Sequence, residues 1–103
     1  MTYRVVLDPR FKSDYRRIWR DYPQVAEELT EVIDEFVQNG ELPDAYGAHE
    51  LVNPGGNYNG YWEFHLSDGS VDVLVIYIPR RREPVIRFVR MGSHRELFQG
   101  PLR

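Results

Sequence analysis

The chain has 103 residues, 42% of them hydrophobic and 14% aromatic, which supplies one domain with a core and excludes both a disordered segment and a two-domain enzyme. It contains no cysteine, so disulfide staples, thiolate catalysis and thiolate zinc sites are excluded together. The net charge of -3 argues against a uniformly basic nucleic-acid binder, yet it averages unlike segments: residues 27–50 hold eight acidic residues and no Lys or Arg, whereas residues 1–26 hold six basic residues against three acidic.

Residues 3–7 are short and β-branched and stop at Asp8-Pro9, a helix-start pair with Asp as cap and Pro in the first turn. The helix that follows carries Phe11, Tyr15, Ile18, Trp19 and Tyr22 at helical spacing, with Arg10, Lys12, Arg16, Arg17 and Arg20 between them. Pro23 ends it. A second helix places Val25, Leu29, Val32, Ile33, Phe36 and Val37 on one stripe before the stop signal Asn39-Gly40. Residues 41–60 are broken by Pro43, Gly47, Pro54, Gly55, Gly56 and Gly60, with room for one short strand at 49–52.

Residues 61–66, 71–78 and 85–91 then read as three strands of an antiparallel meander, and 71–78, apolar on both faces, as the central one. The order β-α-α-β-β-β, with an optional extra strand, gives an α+β domain: two N-terminal helices on one face of a small antiparallel sheet, the other face open. Alternation turns Trp62, Phe64 and Leu66 toward the helices and Tyr61, Glu63 and His65 toward the open face. One domain spans 1–103, with 99–103 set aside as a tail because Leu97-Phe98-Gln99-Gly100-Pro101 resembles a 3C-type protease recognition sequence. No apolar run reaches the roughly 20 residues of a membrane helix, and the polar start has no secretory core, so a cytoplasmic protein without a membrane partner is expected.

His49, His65 and His94 are the only histidines. A meander brings neighbouring strand ends together, which lets His65, the loop and the Gly92-Ser93-His94 turn converge on one rim of the sheet. Three His with Asp68, Asp72 or Glu63 would supply zinc donors, but zinc sites generally keep a close pair such as His-x-x-x-His, and no such pair is present; the expected chemistry uses neither metal nor cofactor. There is no Gly-x-Ser-x-Gly elbow and no Gly-x-x-x-x-Gly-Lys loop.

Tyr3-Arg4-Val5-Val6, Phe11-Lys12-Ser13-Asp14, Leu42-Pro43 with Tyr46 and His49, the stretch from Gly60 to His65, that from Asp72 to Tyr77, and that from Arg90 to Phe98 stand in this order along nearly the whole chain. Together they resemble a YafQ-type toxin of the RelE/ParE superfamily, most specifically in Gly-Ser-His-x-x-Leu-Phe. The resemblance implies a RelE-like fold and an endoribonuclease that cuts mRNA in the ribosomal A site and is held inactive by a cognate antitoxin. It implies His49, His65, Asp72, His94 and Phe98 as functional positions, with Asp68 competing with Asp72 for the carboxylate.

Cleavage by the ribose 2′-OH needs a base, an acid and stabilisation of a charged phosphorane, and imidazole, titrating near neutrality, suits both proton tasks. On this expectation His94 is the acid, His65 or His49 the base, Asp72 an orienter or auxiliary base, and Phe98 a base-stacking ring. Arg90, and Arg87 on the same strand, are the expected RNA contacts. The alternative is a non-catalytic ParE-like or degenerate toxin that acts by binding a protein partner; such a binder has no chemical need for three imidazoles.

Overall fold

The computed structural model describes residues 2–67 and 71–99. Strand β1 (Arg4–Leu7) gives way to helix α1 (Pro9–Asp21) at Asp8, whose carboxylate accepts the Arg10 N–H at 2.9 Å, the side-chain cap anticipated at this pair. Helix α2 (Gln24–Asn39) ends at Gly40, whose φ of 76° is the left-handed conformation glycine adopts without strain. After a single 3₁₀ turn (Asp44–Tyr46) come β2 (His49–Glu50), β3 (Trp62–His65), β4 (Leu74–Ile78) and β5 (Val85–Gly92), and then one π-helical turn (Arg95–Gln99). Asp68 and residues 100–103 lie outside the described residues.

The five strands form one sheet in the order β1-β5-β4-β3-β2. The β3-β4-β5 meander is antiparallel as expected and β4 is central, three residues shorter than the apolar run 71–78. β1, however, adds in parallel, Arg4 beside Val85 through Leu7 beside Phe88, so the sheet is mixed rather than wholly antiparallel. Two helices intervene between β1 and its partner, which is the long connection a parallel neighbour permits.

Both helices lie on one face. Phe11 and Ile18 of α1 and Val25, Val32 and Phe36 of α2 close over Phe64, Val75, Tyr77 and Phe88, and Phe36 meets Tyr77 and Phe88 edge-on at 5.3 and 5.5 Å. Burial pushes the Tyr77 hydroxyl up to about 12, so it stays neutral.

The opposite face is not open. Leu51 and Tyr58 from the long loop and Leu97 from the C-terminal turn cover Leu74, Ile76 and Val89, making a second, smaller core. Two-sided apolarity in β4 already demands this cover; the loop's Gly and Pro content hides it, because only two apolar residues of an irregular segment do the covering. A bulge completes the arrangement: Tyr77 pairs with Phe88 but Ile76 with Arg90, so Val89 is the extra residue, and Phe88 and Met91, three apart, both face the helices.

β1 stops pairing at Phe88, leaving the last residues of β5 on the sheet edge. Asp14, on the buried stripe of α1, takes β1's place. Its Oδ2 accepts the Met91 N–H at 3.0 Å and the Arg90 Nε–H at 2.6 Å, and its Oδ1 accepts Arg90 Nη2 at 3.2 Å. Arg90 also donates from Nη1 to the Tyr58 hydroxyl at 3.1 Å, tying α1, β5 and the loop at one point. Removing one partner of a buried ion pair strands the other charge. Asp14→Ala is therefore expected to lower unfolding free energy in urea by about 3–5 kcal/mol, with Asp14→Leu/Arg90→Met losing less than Asp14→Ala alone.

Candidate active site

The C-terminal turn is set by its first residues. Ser93 Oγ accepts the Glu96 N–H at 3.1 Å, a local cap that starts the turn immediately before His94. A Cβ on Gly92 would meet Glu96 Oε1, the end of that side chain, at 2.8 Å and Leu97 Cγ at 3.4 Å, so glycine gives the returning turn room beside β5. Glu96 is clamped to α1 by both Nη atoms of Arg17, Nη1 at 3.1 Å from Oε2, while Leu97 is fully buried in the second core.

These constraints deliver His94 to the end of β3. Its Nδ1 lies 2.7 Å and its backbone N–H 3.3 Å from Asp72 Oδ1, and its Nε2 lies 3.2 Å from His65 Nε2, with ring centroids 5.0 Å apart. A carboxylate only accepts, so Nδ1 carries the proton that faces Asp72. The two Nε2 atoms must then share one proton between them.

Burial alone raises the Asp72 carboxyl, but hydrogen bonds from the His94 side chain and backbone, with the charge of His94 and His65, outweigh it and hold Asp72 below the usual carboxylate range. A lowered folded-state value means the contact is in force above about pH 4, the ordinary Asp value, and is lost as pH falls through the lowered one. The ¹³C titration of the Asp72 carboxyl is expected to have its midpoint below that of an exposed Asp, and to move back toward it in His94→Ala.

His49 stands beside Glu63 in the β2–β3 register. Its Nε2 is 3.1 Å from Glu63 Oε1 and its Nδ1 2.7 Å from the Gly47 carbonyl oxygen. Glu63, expected on an open face, is only 4% exposed, a consequence of the loop cover described above, and its Oε2 has no hydrogen-bond partner among the described residues. One donor atom from each of Glu63, His65 and His94 lies within 4.8 Å of the others. His65 and His94 face each other through Nε2, and Glu63 meets His49 through Oε1 while its Oε2 stays unpartnered beside them.

His49, His65, Asp72 and His94 thus come together on one rim, with Phe98 against His94 at 5.6 Å between ring centroids. The arginines do not join them. Arg90 is 6% exposed, and Asp14 foremost, then Tyr58, holds its guanidinium firmly charged; its cation is spent inside the fold, which corrects the expectation of a phosphate contact. Arg87 is exposed on β5 but five residues from Gly92, roughly 16 Å at about 3.3 Å per residue.

Asp14 is the residue sequence reasoning missed, and Glu63 was named only as an alternative zinc donor. Asp14 had a signal: it is the lone carboxylate on the stripe Phe11-Asp14-Ile18. For Glu63 alternation gave the right face but no hint of burial.

A small α+β fold with a mixed sheet and two helices on one face is a RelE-like architecture. The sequence model of a bacterial toxin of type II toxin–antitoxin systems, YafQ, matches residues 3–99, and the chain belongs to that family. Among solved structures, a metal-bound toxin from Helicobacter pylori is 25% identical with a TM-score of 0.72, over 93% of this chain and 99% of that one. YafQ from E. coli strain BL21(DE3) is 21% identical with a TM-score of 0.65, over 88% and 92%. The toxin in the E. coli DinJ–YafQ toxin–antitoxin complex has the same identity and score, over 91% and 94%. A search of curated protein sequences finds no match.

Proposed function

We propose that this toxin is a ribosome-dependent endoribonuclease that cleaves mRNA by imidazole-based proton transfer, and that a cognate antitoxin silences it. The observation that carries the reading is the His65–His94 contact with His94 anchored on Asp72: two exposed-edge imidazoles sharing a proton, one of them oriented by a carboxylate. That is the arrangement a base needs when it must take a proton and return it. Membership of the YafQ family supports the class, and the DinJ complex of a relative supports the antitoxin.

In the reaction the base takes the 2′-OH proton as the 2′-oxygen attacks phosphorus. The bond to the 5′-oxygen breaks, and an acid protonates that leaving oxygen, so the products are a 2′,3′-cyclic phosphate and a free 5′-OH. His65, His94 and His49 supply the proton carriers and Asp72 orients His94. Phe98, half-buried beside His94, offers a face on which a nucleotide base can stack. Arg87 contacts RNA backbone away from the scissile bond. The catalytic groups need no bound metal to move these protons.

Primer extension on an mRNA in a translation extract is expected to reveal new 5′ ends with the wild-type chain and none on free RNA. His94→Ala is expected to slow single-turnover cleavage by about 10²- to 10⁴-fold, and Phe98→Ala to weaken substrate affinity by about 5- to 150-fold, the loss of one stacked base. Cutting unchanged by His94→Ala would refute the assignment, and a wild-type chain that cuts nothing but blocks another process would favour a protein-binding toxin.

A further inference from the structure

The sheet supplies the close donor pair that the spacing of the histidines lacks. Glu63 and His65 lie two apart on β3 and so share a face. His65 is paired with Leu74 and Leu74 with Gly92, which brings the turn carrying His94 to the same strand end. One donor atom each from Glu63, His65 and His94 therefore stands within 4.8 Å of the other two, although His94 is 29 residues from His65 along the chain.

The geometry points to a second use of these three side chains: they form a site for a divalent transition-metal ion, zinc foremost, and occupancy of that site switches the toxin off. The binding half stands on the donors alone, while the switching half rests on the nuclease reading. Two imidazole nitrogens and one carboxylate oxygen suit a borderline ion such as Zn²⁺ rather than Mg²⁺ or Ca²⁺, which prefer oxygen throughout.

Three observations support it. The Nε2 atoms of His65 and His94 are 3.2 Å apart, close to the roughly 3.3 Å that separates two nitrogens held tetrahedrally at about 2.0–2.1 Å from one zinc. His94 turns its other nitrogen, Nδ1, onto Asp72 at 2.7 Å, the carboxylate support that metal-bound imidazoles generally have. Glu63 is 4% exposed and its Oε2 has no partner among the described residues, an arrangement that is costly for a carboxylate unless a cation meets that oxygen. His49 meets the other oxygen, Oε1, and stays outside the set. Binding is an exchange: the ion takes a lone pair from each Nε2 and one from Glu63, and the proton lying between the imidazoles gives way, to water or to Nδ1 of His65. Three protein ligands leave a fourth position for water or a phosphate oxygen, so RNA can still be held while neither imidazole is able to take or return a proton through Nε2.

Zinc titration of chelator-treated protein tests the site. The wild-type chain is expected to take up one equivalent in calorimetry, and ¹⁵N spectra to show the Nε2 resonances of His65 and His94 moving on binding while Nδ1 of His94 keeps its proton. Glu63→Gln, of nearly the same shape, is expected to bind roughly 100-fold more weakly or worse, since losing a residue that merely supports a metal ligand already costs about 10- to 100-fold. No stoichiometric uptake, uptake that Glu63→Gln leaves intact, or uptake that moves His49 alone overturns the site. If Glu63→Gln does not fold, the wild-type nitrogen shifts decide by themselves.

Single-turnover cleavage on programmed ribosomes reads the switch. Zinc at full occupancy is expected to lower the wild-type rate constant by about 10²-fold or more, the worth of one proton carrier, with substrate affinity changing less and excess chelator restoring the rate. The ratio of rates with and without zinc, taken within each chain, is expected to lie nearer to one in Glu63→Gln, which separates this site from any action of zinc on the ribosome. Cleavage that full occupancy leaves unchanged or accelerates overturns the switch. A wild type that cuts nothing in chelator would sink the nuclease reading, while the titration would still decide the metal site.

Discussion

The Asp14–Arg90 pair is the contact from which the remaining architecture follows. β1 is too short to cover the far half of β5, and a carboxylate from α1 satisfies the backbone donor that β1 leaves behind. Burying that carboxylate requires a cation with several donors, and arginine supplies three of its bonds within this one junction. The helix layer, the sheet edge and the loop over the second core are thereby fixed relative to one another at the strand that leads into His94. The pair contributes geometry more than net stability, as buried ion pairs commonly do.

That geometry explains why a domain of this size carries two hydrophobic cores. The larger one, under the helices, makes the fold. The smaller one, under Leu51, Tyr58 and Leu97, fixes the loop and the C-terminal turn from which His49 and His94 project. Tyr58 illustrates the cost: its φ of 60° is unfavourable for a bulky residue, and the conformation places its ring in the small core and its hydroxyl on Arg90. The imidazoles then stand at the wet boundary of this core, near enough to share protons and open enough to meet a substrate.

Much of this was legible in the sequence. Asp8-Pro9, Pro23 and Gly40 mark the helix ends through local chemistry, and the meander follows from short polar connections between apolar runs. The rim on which His49, His65 and His94 meet follows from strand adjacency. What stayed hidden was non-local. The parallel seat of β1 depends on how the two helices return the chain, and the second core depends on where an irregular loop lies. The sequestering of Arg90 depends on a bulge at Val89 that no periodicity announces. Glu63 was misjudged for the same reason: its neighbours along the chain fix its direction, while its burial is decided by residues that alternation does not see.

β2 is only two residues long, and those residues are His49 and Glu50. It closes one border of the sheet, where unpaired backbone groups would otherwise invite a strand from a second molecule. So brief and polar a border gives an incoming chain little to zip onto. The same brevity that exposes an imidazole to solvent therefore guards the protein against fibril-like self-association, and lengthening β2 with β-branched residues would sacrifice solubility along with access.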